Sequence, residues 1–187
     1  MLSALVFAAA LRIKLVYVPA PKEGLTQVEF NLFASDLKNY LQRNVSTRIR
    51  IVRRIANVSR PLDLSMGDAL RMFDILTTLH DPSFAMSHYV FPLVRIDGYP
   101  YVLGYSNGIC TVAPKTNSYS TALIENADGY SRYWESIAAA AHEIGHQLGG
   151  KHRNKGLMSY MVLGDSHTEI PLPSNETKRD WQRCGKL

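Results

Sequence analysis

Apolar and polar residues alternate over residues 12–18 (RIKLVYV), a stretch rich in β-branched side chains, which predicts a strand. The period then changes. TQVE at residues 26–29 is a capping box: the Thr26 oxygen and the Glu29 carboxylate each satisfy a backbone N–H left free at a helix start. The helix runs to about residue 43, with Val28, Leu32, Phe33, Leu37, Tyr40 and Leu41 on one stripe. Residues 47–58 read as a second strand, with Ile49 and Ile51 inward. SMGD at residues 65–68 starts a second helix, whose apolar face is Met66, Ala69, Leu70, Phe73 and Leu76. Residues 86–95 and 99–103 read as strands around the turn DGYP, and residues 120–125 as one more short strand. Ser131 is the expected N-cap of a long helix over residues 132–148, with Trp134, Ile137, Ala138, Ala141 and Leu148 buried.

Strand, helix, strand, helix, several strands and a long helix make an α/β fold, a mixed sheet with helices packed on it. The chain shows no repeat, low-complexity tract or linker, and 187 residues suit one buried core. We therefore expect a single domain over residues 12–187. Residues 1–11 are either a signal-peptide remnant or the lead into the first strand.

Charge and cysteines narrow the picture less. The net charge is +5, but the basic residues are dispersed apart from Arg48, Arg50, Arg53 and Arg54. At alternate strand positions Arg48 and Arg50 share one face, most simply a solvated one, so no nucleic-acid partner is expected. No apolar run is long enough to span a bilayer. Cys110 and Cys184 form neither a metal framework nor a CxxC pair, which leaves one long-range disulfide or two free thiols. Sequons at Asn44, Asn57 and Asn175 lend slight support to a secretory route.

The chemistry is concentrated in HEIGHQLGGKH, residues 142–152. His142 and His146 are four apart, so their imidazoles lie on one helix face and can converge on one ion. Gly149 and Gly150 end the helix and redirect the chain, and His152 can swing back as a third ligand. Three nitrogen ligands with a fourth position open is the arrangement of a catalytic Zn2+. Glu143, beside the first ligand but pointing elsewhere, suits a general base that takes a proton from zinc-activated water. A structural zinc would want a fourth protein ligand and would give Glu143 no role.

The spacing H-E-x-x-H-x-x-G-x-x-H resembles the metzincin signature of zinc endopeptidases. Within that group GYSNGICTVAP (residues 104–114), YSTALIEN (119–126) and LMSY (157–160) resemble the reprolysin (adamalysin) branch, including short secreted enzymes of tick saliva and venom. The resemblance implies a metzincin-like catalytic domain: a twisted mixed sheet with an antiparallel edge strand, a long active-site helix, an upper part (residues 12–149) and a smaller lower part (150–187). It implies Met158 as the methionine of the turn beneath the metal, with Met161 as the other methionine able to fill that place. It implies an extended substrate on an edge strand at Thr121, Ala122, Leu123 and Ile124, while Met158-Ser159-Tyr160 also resembles astacins and serralysins, which implies Tyr160 as a switchable ligand. It also implies a Cys110–Cys184 disulfide. No residue pattern points to a structural Ca2+.

Two departures stand out. Arg153 follows the third histidine where the family usually has an acid, and only five residues separate His152 from Met158. The function expected is that of a secreted, monomeric zinc endopeptidase acting on protein or peptide substrates. The competing expectation is a metzincin-fold protein of little activity that works by binding a host or matrix protein; intact Glu143 and three ligands favour the enzyme.

Overall fold

The computed structural model of the chain describes residues 10–19, 25–56, 84, 86–92, 104–106, 118–124, 130–159 and 170–184. In chain order these hold β1 (Leu11–Tyr17), α1 (Gln27–Asn44), β2 (Ile49–Ile55), β3 (Met86–Pro92), β4 (Gly104–Ser106), β5 (Ser118–Ile124), α2 (Tyr130–Gln147) and α3 (Asn175–Cys184). The helix expected over residues 65–76 and the strand over 99–103 lie outside the described residues. The C-terminal helix α3 is not among the elements that the hydrophobic pattern announces.

The five strands form one sheet in the order β2-β1-β3-β5-β4. β1 pairs parallel with β2 and β3, β3 parallel with β5, and β4 runs antiparallel beside β5. Pairing registers place Ile13, Leu15, Tyr17, Met86, Val90 and Ala122 on one face. They share a single core with Phe30, Phe33 and Leu37 of α1 and Ile137, Ala141 and Ile144 of α2. On the other face Val16, Tyr89 and Phe91 are also buried, as parallel strands require. β2, an outer strand among the described residues, carries exposed Arg50, Arg53 and Arg54, charges that discourage a second chain from pairing there.

The α/β class and the antiparallel edge strand agree with expectation, but the edge is a different strand. Thr121, Ala122, Leu123 and Ile124 belong to β5; all four pair with β3, and Thr121 and Ala122 pair with β4 on the other side as well. The edge is β4, Gly104–Ser106. Alternation within a segment reports that it is a strand, not which neighbours it has.

The capping box of α1 is formed, with Glu29 N–H donating to Thr26 Oγ1 at 3.3 Å and Thr26 N–H to Glu29 Oε2 at 2.6 Å. Its apolar stripe is displaced from the expected one. Val28 is 76% exposed and Leu32 55%, while Phe30, Phe33, Ala34, Leu37, Tyr40 and Leu41 are buried. Phe30 is the larger side chain, and turning it inward points Val28 and Leu32 away.

Candidate metal centre

α2 positions the first two histidines. It starts at Tyr130, so Ser131 lies within its first turn rather than before it. Ala138, Ala139, Ala140 and Ala141 are all buried, and such small residues let the helix lie close upon β5, β4, β3 and α1. The helix stops in a Schellman motif: Gly149 N–H donates to His146 O at 2.9 Å and Gly150 N–H to Gly145 O at 2.8 Å. Gly149 sits at φ 84°, a conformation that suits glycine at this position. This turn sends the chain back so that His152 faces the helix.

The three histidines converge. His142 Nε2 lies 3.1 Å from His146 Nε2 and 3.3 Å from His152 Nε2, and the last two are 3.1 Å apart. His142 Nδ1 is 2.7 Å from Leu157 O, and His146 Nδ1 is 2.8 Å from Gly150 O. A carbonyl only accepts, so both Nδ1 atoms carry the hydrogen and both Nε2 atoms present lone pairs to the shared centre. Burial lowers the pKa of His142 to about 4, with the neighbouring histidines adding to that effect and the Leu157 bond opposing it. Burial also lowers His146 and His152. Neutral imidazoles with lone pairs facing each other repel unless a cation lies between them. Tetrahedral ligands at zinc–nitrogen bond lengths stand about 3.3 Å apart, so the donor set fits Zn2+.

Glu143 is buried, and burial pushes its carboxyl up to about 8. Its side chain lies against β4: a methyl group at Gly104 would collide with Glu143 Cγ and stand 2.7 Å from Oε1. A divalent cation nearby acts against burial and favours the carboxylate.

Below the helix, Met158 is 1% exposed and packs against Gly145, where an added Cβ would meet Sδ at 2.7 Å and Trp181 Cζ2 at 2.9 Å. Trp181 Nε1–H donates to Gly145 O at 3.0 Å. Gly145→Ala is thus expected to overpack this contact and cost about 1–3 kcal/mol in urea unfolding. An unchanged midpoint would mean the contact yields freely.

A buried polar chain joins the end of α2 to the sheet. Gln147 Nε2 donates to Ser87 O at 3.0 Å, Ser120 Oγ donates to Gln147 Oε1 at 3.1 Å, and His88 Nδ1 lies 2.6 Å from Ser120 Oγ. Burial lowers His88 to about 3, so it is neutral. Sequence reasoning missed His88, Ser120, Gln147, Gly104, Gly145 and Trp181. Each acts through a partner distant in sequence, and no local spacing announces it.

Of the other expected residues, Cys184 ends α3, while Cys110, Tyr160 and Met161 lie outside the described residues. So does Asn57. Asn44 is 9% exposed, and its Nδ2, the atom a glycan would occupy, donates to Tyr40 O at 2.9 Å. Asn175 is exposed at the start of α3.

The fold and the three-histidine centre define a metzincin-like domain. Archaemetzincin from Methanopyrus kandleri has a similar structure, with a TM-score of 0.61 at 15% identity, over 94% of this chain and 97% of that one. Metalloproteinase-II from Bacteroides fragilis is similar with a TM-score of 0.56 at 18% identity, over 95% of this chain and 54% of that one. No curated protein sequence matches the chain. The family profile described as "Metallo-peptidase family M12B Reprolysin-like" matches residues 28–153. The chain belongs to this reprolysin-like M12B metallopeptidase family.

Proposed function

We propose that the protein is a secreted zinc endopeptidase in which His142, His146 and His152 hold the metal and Glu143 is the general base. The observation that carries this reading is the set of three Nε2 atoms 3.1–3.3 Å apart. Two of them are locked as acceptors by backbone carbonyls.

A zinc ion bound there supplies a Lewis acid for the scissile carbonyl and lowers the pKa of water to about 7. The chain's own residues do the rest. The Glu143 carboxylate takes a proton from the attacking water as its oxygen bonds to the carbonyl carbon. It returns that proton to the leaving amine as the C–N bond breaks. β4 is the last strand of the described sheet, the position at which an extended peptide adds by strand pairing. Substrate therefore lies along Gly104–Ser106 rather than along β5.

Secretion rests on the cysteines. The sequence holds two, Cys110 and Cys184, and the family resemblance pairs them; Cys184 ends α3. A Cys110–Cys184 bond belongs in an oxidising compartment.

Casein cleavage tests the activity. The purified chain is expected to degrade casein, to lose that activity in a metal chelator, and to regain it when one equivalent of zinc is restored. Cleavage that persists in chelator, or a chain that binds zinc but cuts nothing in a broad peptide library, removes the reading.

A further inference from the structure

Resting on the metal-centre reading above, we propose that Arg153 is a positioning residue for the third histidine. Its guanidinium, held by two carboxylates of α3, fixes the neck of the short loop on which His152 stands.

His152 needs such support more than its partners. His142 is buried and His146 half-buried on a rigid helix, whereas His152 is exposed and stands on a loop. The neck of that loop is closed at the very next residue. Arg153 N–H donates to Met158 O at 2.8 Å, and Arg153 forms a bridge with Ser159. Inside it Gly156 turns at φ 79°, and Ser159 N–H donates to Gly156 O at 3.0 Å. The Arg153 side chain then leaves the loop for α3. Nη2 lies 2.9 Å from Asp180 Oδ2 and Nη1 3.4 Å from Glu176 Oε2.

Glu176 and Asp180 are four apart and share a helix face, where like charges repel unless a cation lies between them. A guanidinium fork reaches both at once; an ammonium is a point charge and does not. Asp180, with its side chain 19% exposed, is the stronger partner, and Glu176, at 58%, contributes little. Trp181, the neighbour of Asp180, hydrogen-bonds the helix that carries the other two histidines. One helix therefore registers the loop ligand against the helical ligands. In this chain an arginine tied to α3 stands where the family usually has an acid.

The test is zinc release from the full chain into excess chelator, well below the unfolding temperature, with the visible spectrum of the cobalt(II)-loaded protein alongside. Arg153→Ala is expected to release zinc about 10–100-fold faster than the wild type. Its cobalt band should weaken as the ligand set loosens, which a general loss of stability would not cause. Asp180→Asn should behave similarly, Glu176→Gln should stay within about 3-fold, and Arg153→Ala combined with Asp180→Asn should be no worse than Arg153→Ala alone. Arg153→Lys, which keeps the charge and the neck, should fall between wild type and alanine and carries the test if the alanine variant does not fold. Arg183→Ala, which touches Asp180 from α3 itself at 4.0 Å, should release zinc at the wild-type rate. Wild-type release rates and an unaltered cobalt spectrum in Arg153→Ala or Asp180→Asn overturn the proposal. A wild-type chain that takes up neither metal is a separate result that removes the metal centre itself, and this proposal with it.

Discussion

Glu143→Gln is expected to leave zinc bound at one equivalent while lowering kcat on a peptide substrate by about 10³-fold. Glutamine keeps the shape of the side chain in its buried place over Gly104, so the three histidines should be undisturbed. What is lost is the ability to accept a proton, and positioned proton transfer contributes about 10²–10⁴-fold in rate. The loss should appear in kcat with KM nearly unchanged, because the carboxylate acts in the transition state rather than in binding. A variant that retains more than about a tenth of the wild-type kcat would deny Glu143 that role.

Gly104→Ala should produce a similar signature by displacing the same carboxylate. The new methyl group would collide with Glu143 Cγ and stand 2.8 Å from Cδ, contacts that no side chain tolerates, so one group must move. Gly104 is fixed by its pairing with Ala122 in β5, and the freer partner is the glutamate. Displacing a catalytic group by about 1 Å costs about 10²-fold in rate. A peptide paired along β4, as proposed, would use backbone groups, which alanine retains. The effect is therefore expected in kcat, with KM and zinc content held. A loss confined to KM would mean instead that the methyl group obstructs the peptide.

How far the sequence could be read depended on how local each feature is. The histidine segment was legible because two ligands, the neighbouring carboxylate and the glycine stop lie within one helix and its turn, where fixed geometry converts spacing into convergence. The class of the sheet was legible for the same reason, strand by strand. Strand order was not. The pattern does not announce β4 (Gly104–Ser106) as a strand, and its place beside β5 comes from pairings with residues 120–122 that no local alternation reports. The stripe of α1 failed on a smaller matter. Val28 and Leu32 are four apart and share a face, but the helix turned Phe30 inward. The polar chain His88–Ser120–Gln147 left no local trace, since a histidine in an apolar strand carries no mark of the partner that the fold brings to it.

The lower support of the centre also has a meaning in time. Trp181 and Asp180 hold Gly145 and Arg153, yet they follow all three histidines along the chain. A ribosome delivers residues in order, and HEIGHQLGGKH emerges before α3 exists to brace it. During that interval the loop carrying His152 lacks its anchor and the helix lacks the indole beneath it. A nascent chain therefore lacks the Trp181 and Asp180 contacts for as long as residues 175–184 remain unmade.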